Sequence, residues 1–310
     1  MAEVIPAKGG GPTTPGAWMV LAAAMLWGTT GTAQALTPAE STPAVIAALR
    51  MLLAGSFLLL GALLNGGVRF QRWPLGMTLF AGCLISVYQF SSFWAMAETG
   101  VAVGTIVAMG SAPVFAGILE YLAKRKKPSR RWYLSTLLAV TGCLLLLLES
   151  SGLQVDVFGV SLALLAGFSY AGYTLTIALL VTVRSPQTVT AVVTFCSALL
   201  LLPVLFSADL SWLGQVNGWL PILHLGLIAT ALSYWLFARG LQTVQASTAV
   251  TLTLAEPLVA TLLGILVVGE RMSLFVTCGL CLIFSALALL VFPDRGRLPG
   301  KFPKGGGSAP

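Results

Sequence analysis

The sequence predicts an all-α integral membrane protein, with ten transmembrane helices arranged as two inverted five-helix repeats around a central cavity. Three observations lead to this fold class. The 310-residue chain is 57% hydrophobic and only 9% charged, whereas soluble domains contain about 25% charged residues. The charged residues lie in short intervals between long apolar segments. In addition, the second half of the chain repeats features of the first.

Ten apolar segments follow one another, each close to the ~20 residues that cross a hydrocarbon core as a helix. They are residues 17–36, 43–64, 74–97, 99–123, 131–149, 157–181, 187–206, 219–240, 246–269 and 273–292. Only helices or closed barrels can cross a bilayer, because backbone groups in lipid must pair internally. The continuous apolar runs exclude a barrel, whose strands alternate. We expect disordered tails at 1–16 and 293–310, which are rich in Gly and Pro.

The basic residues predict the orientation of the chain. With ten spans both termini lie on one side, and that side then holds all but two of the 17 Lys and Arg residues. The exceptions are Arg271 on the opposite side and Arg50 inside span two. Cytoplasmic loops carry the excess of basic residues. We therefore predict a multi-pass protein of a bacterial-type inner membrane with both termini cytoplasmic. The net charge of +7 needs no nucleic-acid partner.

An internal repeat relates the two halves, 17–149 and 150–292. A shift of 144 residues aligns spans three to five with spans eight to ten without gaps. The shift places Gly82 on Gly226, Phe93 on Phe237, Thr99 on Thr243, Ala102 on Ala246, Pro113 on Pro257 and Ser129 on Ser273. Because each half has five spans, the second half enters the membrane inverted. Inverted repeats are typical of secondary transporters, with the substrate site near the midplane; a duplication retained for folding alone is the alternative.

Two aligned segments resemble the paired signatures of the EamA family in the drug/metabolite transporter superfamily. They are AMAETGVAVGTIVAMGSAP at 95–113 and ARGLQTVQASTAVTLTLAEP at 238–257, the second followed by Val-Gly-Glu at 268–270. The resemblance covers about residues 17–292 as two tandem EamA domains. Within this family the chain is most similar to the YddG-type exporters of aromatic and other amino acids. The first half departs from the pattern, since it has Arg125-Lys126 in place of the Gly-Glu element.

The resemblance implies export of small metabolites through a central cavity, to which spans three, four, eight and nine contribute most. It leaves the substrate and the coupling ion open.

Aromatic and polar side chains within four spans are candidates for the wall of this cavity. Trp and Tyr usually concentrate at the membrane interfaces, so rings inside the spans suit a site for an amphipathic molecule. The predicted substrate-binding residues are Trp27, Tyr88, Gln89, Ser92, Trp94, Tyr170, Tyr173, Ser233, Tyr234 and Trp235. For any one of them the alternative is helix packing with interhelical hydrogen bonds.

Glu256 and Arg50 are ionisable groups within spans. Glu256 lies roughly 15 Å deep at 1.5 Å per residue, which makes it a candidate for proton transfer or coupling. Its alternative role is a hydrogen-bonded carboxyl that supports the kink at Pro257. Arg50 is expected to anchor span two or, alternatively, to receive a substrate carboxylate. Glu98, Glu120 and Glu149 lie near span ends, where we expect them to be solvated or to face headgroups.

Pro113 and Pro257 occupy matching positions in spans four and nine. A proline in a membrane helix frees a carbonyl and bends the helix. The two residues are therefore candidate hinges, and static kinks are the alternative.

The sequence thus predicts a secondary transporter that exports small amphipathic metabolites, including aromatic amino acids, by alternating access. A broad drug/metabolite exporter and a passive channel are the alternatives. The chain contains no P-loop, H-E-x-x-H or G-x-S-x-G motif, so neither an ATP-driven pump nor an enzyme is expected.

No cofactor or metal is expected either. The lone His224 cannot form a metal cluster, and Cys278-Gly-Leu-Cys281 lacks the βαβ context of a redox motif. The expected partners are a small-molecule substrate and the bilayer, and the oligomeric state stays open.

Overall fold

A computed structural model describes residues 14–65, 73–125, 127–149, 156–268 and 273–292. These residues are almost entirely helical, and no strand occurs among them, which confirms the all-α class. The predicted tails lie almost wholly outside the described residues, as do Gly269, Glu270 and Arg271.

The helices are numbered α1 to α10 in chain order. They are α1 (Thr14–Gly28, continued by Thr30–Ala35), α2 (Pro43–Leu64), α3 (Leu75–Thr99), α4 (Val101–Lys124), α5 (Arg130–Glu149), α6 (Val157–Val183), α7 (Pro186–Leu201), α8 (Val216–Leu223, His224–Leu232 and Ser233–Gly240), α9 (Ala246–Leu252, Ala255–Leu263 and Gly264–Val268) and α10 (Leu274–Val291). The middle part of α8 and the last part of α9 are π-helical. Short helical turns at Pro203–Phe206 and Ser211–Gly214 connect α7 to α8.

Seven of the described helices are long and apolar enough to cross a membrane, namely α2, α3, α4, α6, α8, α9 and α10. Helix α7 is apolar but shorter, with 16 residues, because the chain turns before Pro203. Large apolar side chains are exposed around the bundle, among them Leu64, Leu274 and Phe284. Extended apolar surface of this kind marks contact with lipid or another protein. The chain is therefore a multi-pass membrane protein.

Side-chain caps define where several helices begin. Asp156 accepts a hydrogen bond from the Gly159 N–H at 2.8 Å and caps α6. Ser129 and Ser273, which are aligned by the 144-residue shift, cap α5 and α10 in the same way. Helices α3 and α4 meet at Gly100, whose φ of +82° allows the chain to reverse with a single linking residue.

Helix packing pairs corresponding helices of the two halves. Helix α2 packs along α7, α5 along α10, and α4 contacts the first part of α9. Helix α3 packs against α6 and α7, while its counterpart α8 packs against α1 and α2.

The interface between α5 and α10 shows this correspondence at single residues. Ser135 Oγ donates a hydrogen bond to the Ala286 carbonyl at 2.7 Å. At a second contact between the two helices, a Cβ on Gly142 would lie 2.7 Å from the Gly279 carbonyl. The 144-residue shift places Ser135 on Gly279 and Gly142 on Ala286, so each contact is the repeat image of the other. Such close approach requires small residues.

The two ends of the bundle differ in packing. At the end that holds the start of α1, hereafter the packed end, Ala17 and Val20 are fully buried. The backbones of α1 and α8 touch there, since a Cβ on Gly240 would lie 2.8 Å from the Gly16 carbonyl. The opposite end, hereafter the open end, holds Gln34, where a cavity begins.

Glu120 also lies at the packed end, and the expectation that it is solvated was wrong. Its side chain is 6% exposed. One carboxylate oxygen accepts a hydrogen bond from the Lys124 ammonium at 2.7 Å, and the other accepts from the Ser247 N–H at 2.9 Å. Glu120 therefore satisfies a free N–H group at the start of α9 from a different helix.

Candidate functional site

A cavity of about 250 Å³ extends from the middle of the bundle toward the open end. Seven helices line it: α1, α2, α3, α4, α6, α8 and α9. The lining residues are Trp27, Gly28, Thr30, Gly31, Gln34, Arg50, Tyr88, Gln89, Ser92, Phe93, Met96, Thr105, Ala108, Met109, Tyr170, Tyr234, Glu256 and Ala260. Both halves of the chain thus contribute to one site.

A break in α1 shapes one wall of the cavity. The helix stops at Gly28 and resumes at Thr30, where a Gly-Thr-Thr-Gly stretch has low helix propensity. The Thr29 hydroxyl donates to the Leu26 carbonyl at 2.7 Å and is hydrogen-bonded to His224 Nε2 at 2.9 Å. The only histidine therefore ties α8 to the break in α1.

The π-helical part of α8 precedes Tyr234 and sets its direction. The Thr230 hydroxyl donates to the Leu225 carbonyl, five residues earlier, at 2.7 Å. This π-helical segment of nine residues is longer than the usual single-turn π-bulge, a feature that frequently lies at functional sites. Here the widened turn is followed directly by Ser233, and then by Tyr234 on the cavity wall.

Helix α9 is interrupted beside Glu256. Pro257 has no N–H group, and the Thr253 carbonyl that it would have bonded accepts instead from the Glu256 N–H at 2.9 Å. Glu256 therefore lies in the first turn of the second part of α9. Pro113, in contrast, lies inside an uninterrupted α4. The matched prolines thus occupy a break in one half and a continuous helix in the other, and their hinge role stays a prediction.

Aromatic rings form the floor of the cavity. The Trp27 ring centroid lies 5.6 Å from that of Tyr234 and 6.4 Å from that of Tyr170, both nearly perpendicular. Tyr88 lies 5.2 Å from Tyr170. Below them Phe237 is fully buried, 5.3 Å from Trp27. Edge-to-face contacts at these distances are favourable, so the floor is a packed layer that closes the cavity toward the packed end.

Six predicted substrate-binding residues line the cavity: Trp27, Tyr88, Gln89, Ser92, Tyr170 and Tyr234. Their function as ligands of a substrate stays a prediction.

The structure places the other four predicted substrate-binding residues off the cavity wall. Tyr173 packs below the floor and is 3% exposed. Ser233 is fully buried and donates to the Ala229 carbonyl at 2.7 Å. Trp94 lines a separate apolar pocket between α2, α3 and α7, and the Trp235 ring lies 5.3 Å from the Arg239 guanidinium.

Arg50 and Gln89 form a buried pair on the cavity wall. The Arg50 Nη2 group donates to Gln89 Oε1 at 2.9 Å, and these residues are 9% and 2% exposed. Three further N–H groups here are buried without a partner among the described residues: Arg50 Nε, Gln89 Nε2 and Trp27 Nε1. Arg50 was expected first to anchor span two; its position as a charge inside a span was the available signal for a site.

Within the described ranges no group of three or more His, Cys, Asp or Glu side chains could hold a metal ion. Cys278 and Cys281 are both free and exposed on α10, and neither lines the cavity.

Comparison with known proteins identifies the family. The EamA-like transporter family matches residues 14–148 and, again, residues 157–292. The chain is 44% identical over 276 residues to the uncharacterized transporter YwfM of Bacillus subtilis (strain 168), covering 89% of this chain and 93% of that protein. It is 24% identical to the uncharacterized inner membrane transporter YicL of Salmonella typhimurium over 296 residues, covering 93% and 98%.

A solved crystal structure shares the fold. It superposes with a TM-score of 0.78 at 20% sequence identity, and the match covers 88% of this chain and 95% of that chain. The two family matches and the 44% identity to a transporter make the chain a transporter rather than an enzyme, and they confirm the resemblance at the level of the family: the protein belongs to the EamA-like transporter family.

Proposed function

We propose that this protein is a secondary transporter that exports small amphipathic metabolites, including aromatic amino acids, by alternating access. The observation that carries the proposal is the aromatic-floored cavity between the two halves, which extends toward one end and is closed at the other. Ligand pockets commonly measure about 300–1,000 Å³, so a cavity of about 250 Å³ suits a small metabolite.

Two inverted repeats of five spans, 17–149 and 150–292, are part of the proposal. The family matches each half separately. The repeat-related contacts between α5 and α10, and the shared caps at Ser129 and Ser273, support it as well. In such a transporter the two halves exchange roles between the inward-open and outward-open forms.

The proposed orientation places both termini and the packed end in the cytoplasm. Most basic residues then lie on the cytoplasmic side. The cavity accordingly opens to the outside, and the described conformation corresponds to the outward-facing form.

Glu256 is the proposed coupling residue. It lines the cavity and is partly exposed there, and its carboxylate makes no hydrogen bond to another side chain or to backbone within the described ranges. An intramembrane carboxylate that is free of structural partners is available for a proton or a cationic group. The break at Pro257 involves the backbone N–H of Glu256, so the Glu256 side chain is not needed to maintain it.

Counterflow of labelled phenylalanine in liposomes that contain the purified protein tests the function. We expect saturable counterflow, accelerated by a pH gradient, and loss of the pH effect in Glu256→Gln. Glu98→Gln is the matched control, because Glu98 lies in α3 away from the cavity and pairs with Trp94.

The outcomes separate the alternatives. Saturable exchange establishes a carrier, whereas a gradient-independent conductance that does not saturate would establish a channel. Flux of cationic drugs without any amino-acid flux would contradict amino-acid export and favour the broad drug/metabolite exporter.

A further inference from the structure

Two opposite charges share the cavity wall without contacting each other. Arg50 on α2 and Glu256 on α9 are the charged residues among those that line it. No ion pair within 4.0 Å joins them, and within the described part of the chain the one such pair is Lys124 with Glu120. Their charges act on each other only at longer range. Charged groups within a membrane protein are costly and usually pair with a group of opposite sign, so a ligand that carries both charges would make the contacts that Arg50 and Glu256 do not make directly.

Unpartnered hydrogen-bond donors line the same cavity as Arg50. Gln89 Oε1 already accepts from Arg50, which directs the amide nitrogen of Gln89 away from the guanidinium. Arg50 Nε, Gln89 Nε2 and Trp27 Nε1 have no partner in the part of the chain that the structure describes, and their side chains are at least nine-tenths buried. The Tyr170 hydroxyl, which also lines the cavity, has none there either. A buried donor left unsatisfied costs about 1–3 kcal/mol. Three donors, one of which belongs to the Arg50 guanidinium, fit a carboxylate, which accepts several hydrogen bonds and pairs with arginine in a forked geometry.

Glu256 faces the cavity from the other half of the chain. The carboxylate accepts hydrogen bonds only and has none from the described residues. An ammonium group has three donors and a positive charge, and it is the complementary partner. Tyr88, Tyr170 and Tyr234 line the same cavity as the two charged groups, and their rings offer apolar contact area.

We propose that the cavity recognises a zwitterion: Arg50, Gln89 and Trp27 bind the carboxylate of an α-amino acid, Glu256 binds its ammonium group, and the tyrosine floor contacts its side chain. The assignment rests on the proposed transport function and names its substrate class. It makes the cavity unsuitable for a simple organic cation, which would leave Arg50 unpaired. A simple organic anion would leave Glu256 unpaired.

Direct binding to the purified protein tests the proposal without requiring transport. The ligands are L-phenylalanine, phenethylamine, which lacks the carboxylate, and 3-phenylpropionate, which lacks the ammonium group. Binding is measured by quenching of tryptophan fluorescence and by isothermal calorimetry in detergent. We expect both analogues to bind at least about 100-fold more weakly than phenylalanine, because a site built for a polar group strongly rejects a ligand that lacks it.

Substitutions test the carboxylate-binding group and the ammonium-binding group of the site separately. Arg50→Gln should remove the preference for phenylalanine over phenethylamine while the preference over 3-phenylpropionate remains. Glu256→Gln should remove the preference for phenylalanine over 3-phenylpropionate while the preference over phenethylamine remains. Arg50→Lys, which retains charge but loses the forked geometry, should retain part of the preference. Glu98→Gln should bind all three ligands as the unaltered protein does. Melting temperatures establish that each variant is folded.

The outcomes are distinct from those of the transport assay. Equal affinity of the unaltered protein for all three ligands overturns the zwitterion assignment, whether or not Arg50→Gln folds. A uniform loss of affinity for all three ligands in both variants also overturns it, because a purely structural role would have that effect. Selective binding of phenylalanine without any counterflow retains the site and instead contradicts the proposed transport.

Discussion

At the scale of single residues, Trp27 has two roles in the cavity. Its ring contacts Tyr170 of α6 together with Tyr234 and Phe237 of α8, and its Nε1 group is buried without a partner among the described residues. The ring therefore closes the floor, and the N–H group is one of the donors that we propose bind the substrate carboxylate. Tryptophan is suited to both roles, because it combines a large apolar body with one donor.

Replacing Trp27 separates these roles. Trp27→Ala should lower the free energy of unfolding by about 3 kcal/mol, because it removes buried aromatic contacts. Trp27→Phe keeps a ring and should cost much less stability, while it weakens binding of phenylalanine by removing one donor. Thermal unfolding in detergent and calorimetry measure the two effects. Equal stability of Trp27→Ala and the unaltered protein would contradict the packed floor.

At the scale of elements, Glu120 connects α4 to α9 at the packed end. The Ser247 N–H that it accepts lies in the first turn of α9, where a negative charge is favourable beside the helix dipole. The bond joins the first half of the chain to the second. Separation of the halves at this end must break it, so Glu120 stabilises the described conformation.

Glu120→Ala should increase hydrogen exchange at the start of α9 by about 10-fold or more, since a hydrogen bond to a charged group contributes about 1.5–3 kcal/mol. Lys124→Met is the matched control. Its ammonium contacts the same carboxylate, but the Lys124 side chain is 40% exposed, and exposed ion pairs contribute about 0–1 kcal/mol. Mass spectrometry of the peptide that contains Ser247 measures the exchange. Equal effects of the two substitutions would show that the Ser247 bond is unimportant.

Packing of α5 against α10 gives a second prediction for an element. Gly142→Ala should destabilise the protein, because its Cβ would lie 2.7 Å from the Gly279 carbonyl, a backbone atom that cannot yield easily. Gly61→Ala in α2 is the control, since nothing lies within 4 Å of its Cβ, and alanine favours a helix by up to about 1 kcal/mol over glycine. Opposite signs of the change in melting temperature are expected. A stabilising Gly142→Ala would refute the close contact.

At the scale of the whole molecule, repeat-related residues occupy unequal environments. Thr105 and Phe93 line the cavity, whereas their counterparts under the 144-residue shift, Ala249 and Phe237, are fully buried. This asymmetry is consistent with the proposed alternating access, because the halves of an inverted-repeat transporter exchange conformations between its two forms.

Single cysteines at Thr105 and Ala249, in a chain without its five native cysteines, test this exchange. Thr105→Cys should react with a membrane-impermeant maleimide from the open end. Ala249→Cys should react only from the packed end, and more rapidly during substrate exchange. Oriented membrane vesicles provide access to each side in turn. Reaction of both positions from the same side would exclude the proposed inversion.

The elements of this protein could be predicted because the bilayer imposes a length on apolar segments. The predicted span 43–64 coincides with α2, and the predicted span 157–181 falls within α6. Interruptions were predicted less accurately: a kink or hinge was expected in span nine at Pro257, but the break of α9 before Ala255 was not predicted. The signal was Pro257, whose missing N–H group perturbs the preceding turn. The position of the break depends on the Thr253 carbonyl, which Pro257 cannot bond and which accepts a hydrogen bond from the Glu256 N–H instead.

The sequence by itself determined the class of protein, its repeat and the set of polar residues within the membrane, because composition and spacing carry that information directly. Only the tertiary structure decided which of them meet. Tyr234 faces the cavity and neighbouring Ser233 does not. This difference could not be predicted, because a helix that is apolar on all sides gives no periodicity from which to read its rotation. Arg50 and Gln89 are paired across 39 residues, and Glu120 and Ser247 across 127, since contacts between helices follow from packing and not from local pattern.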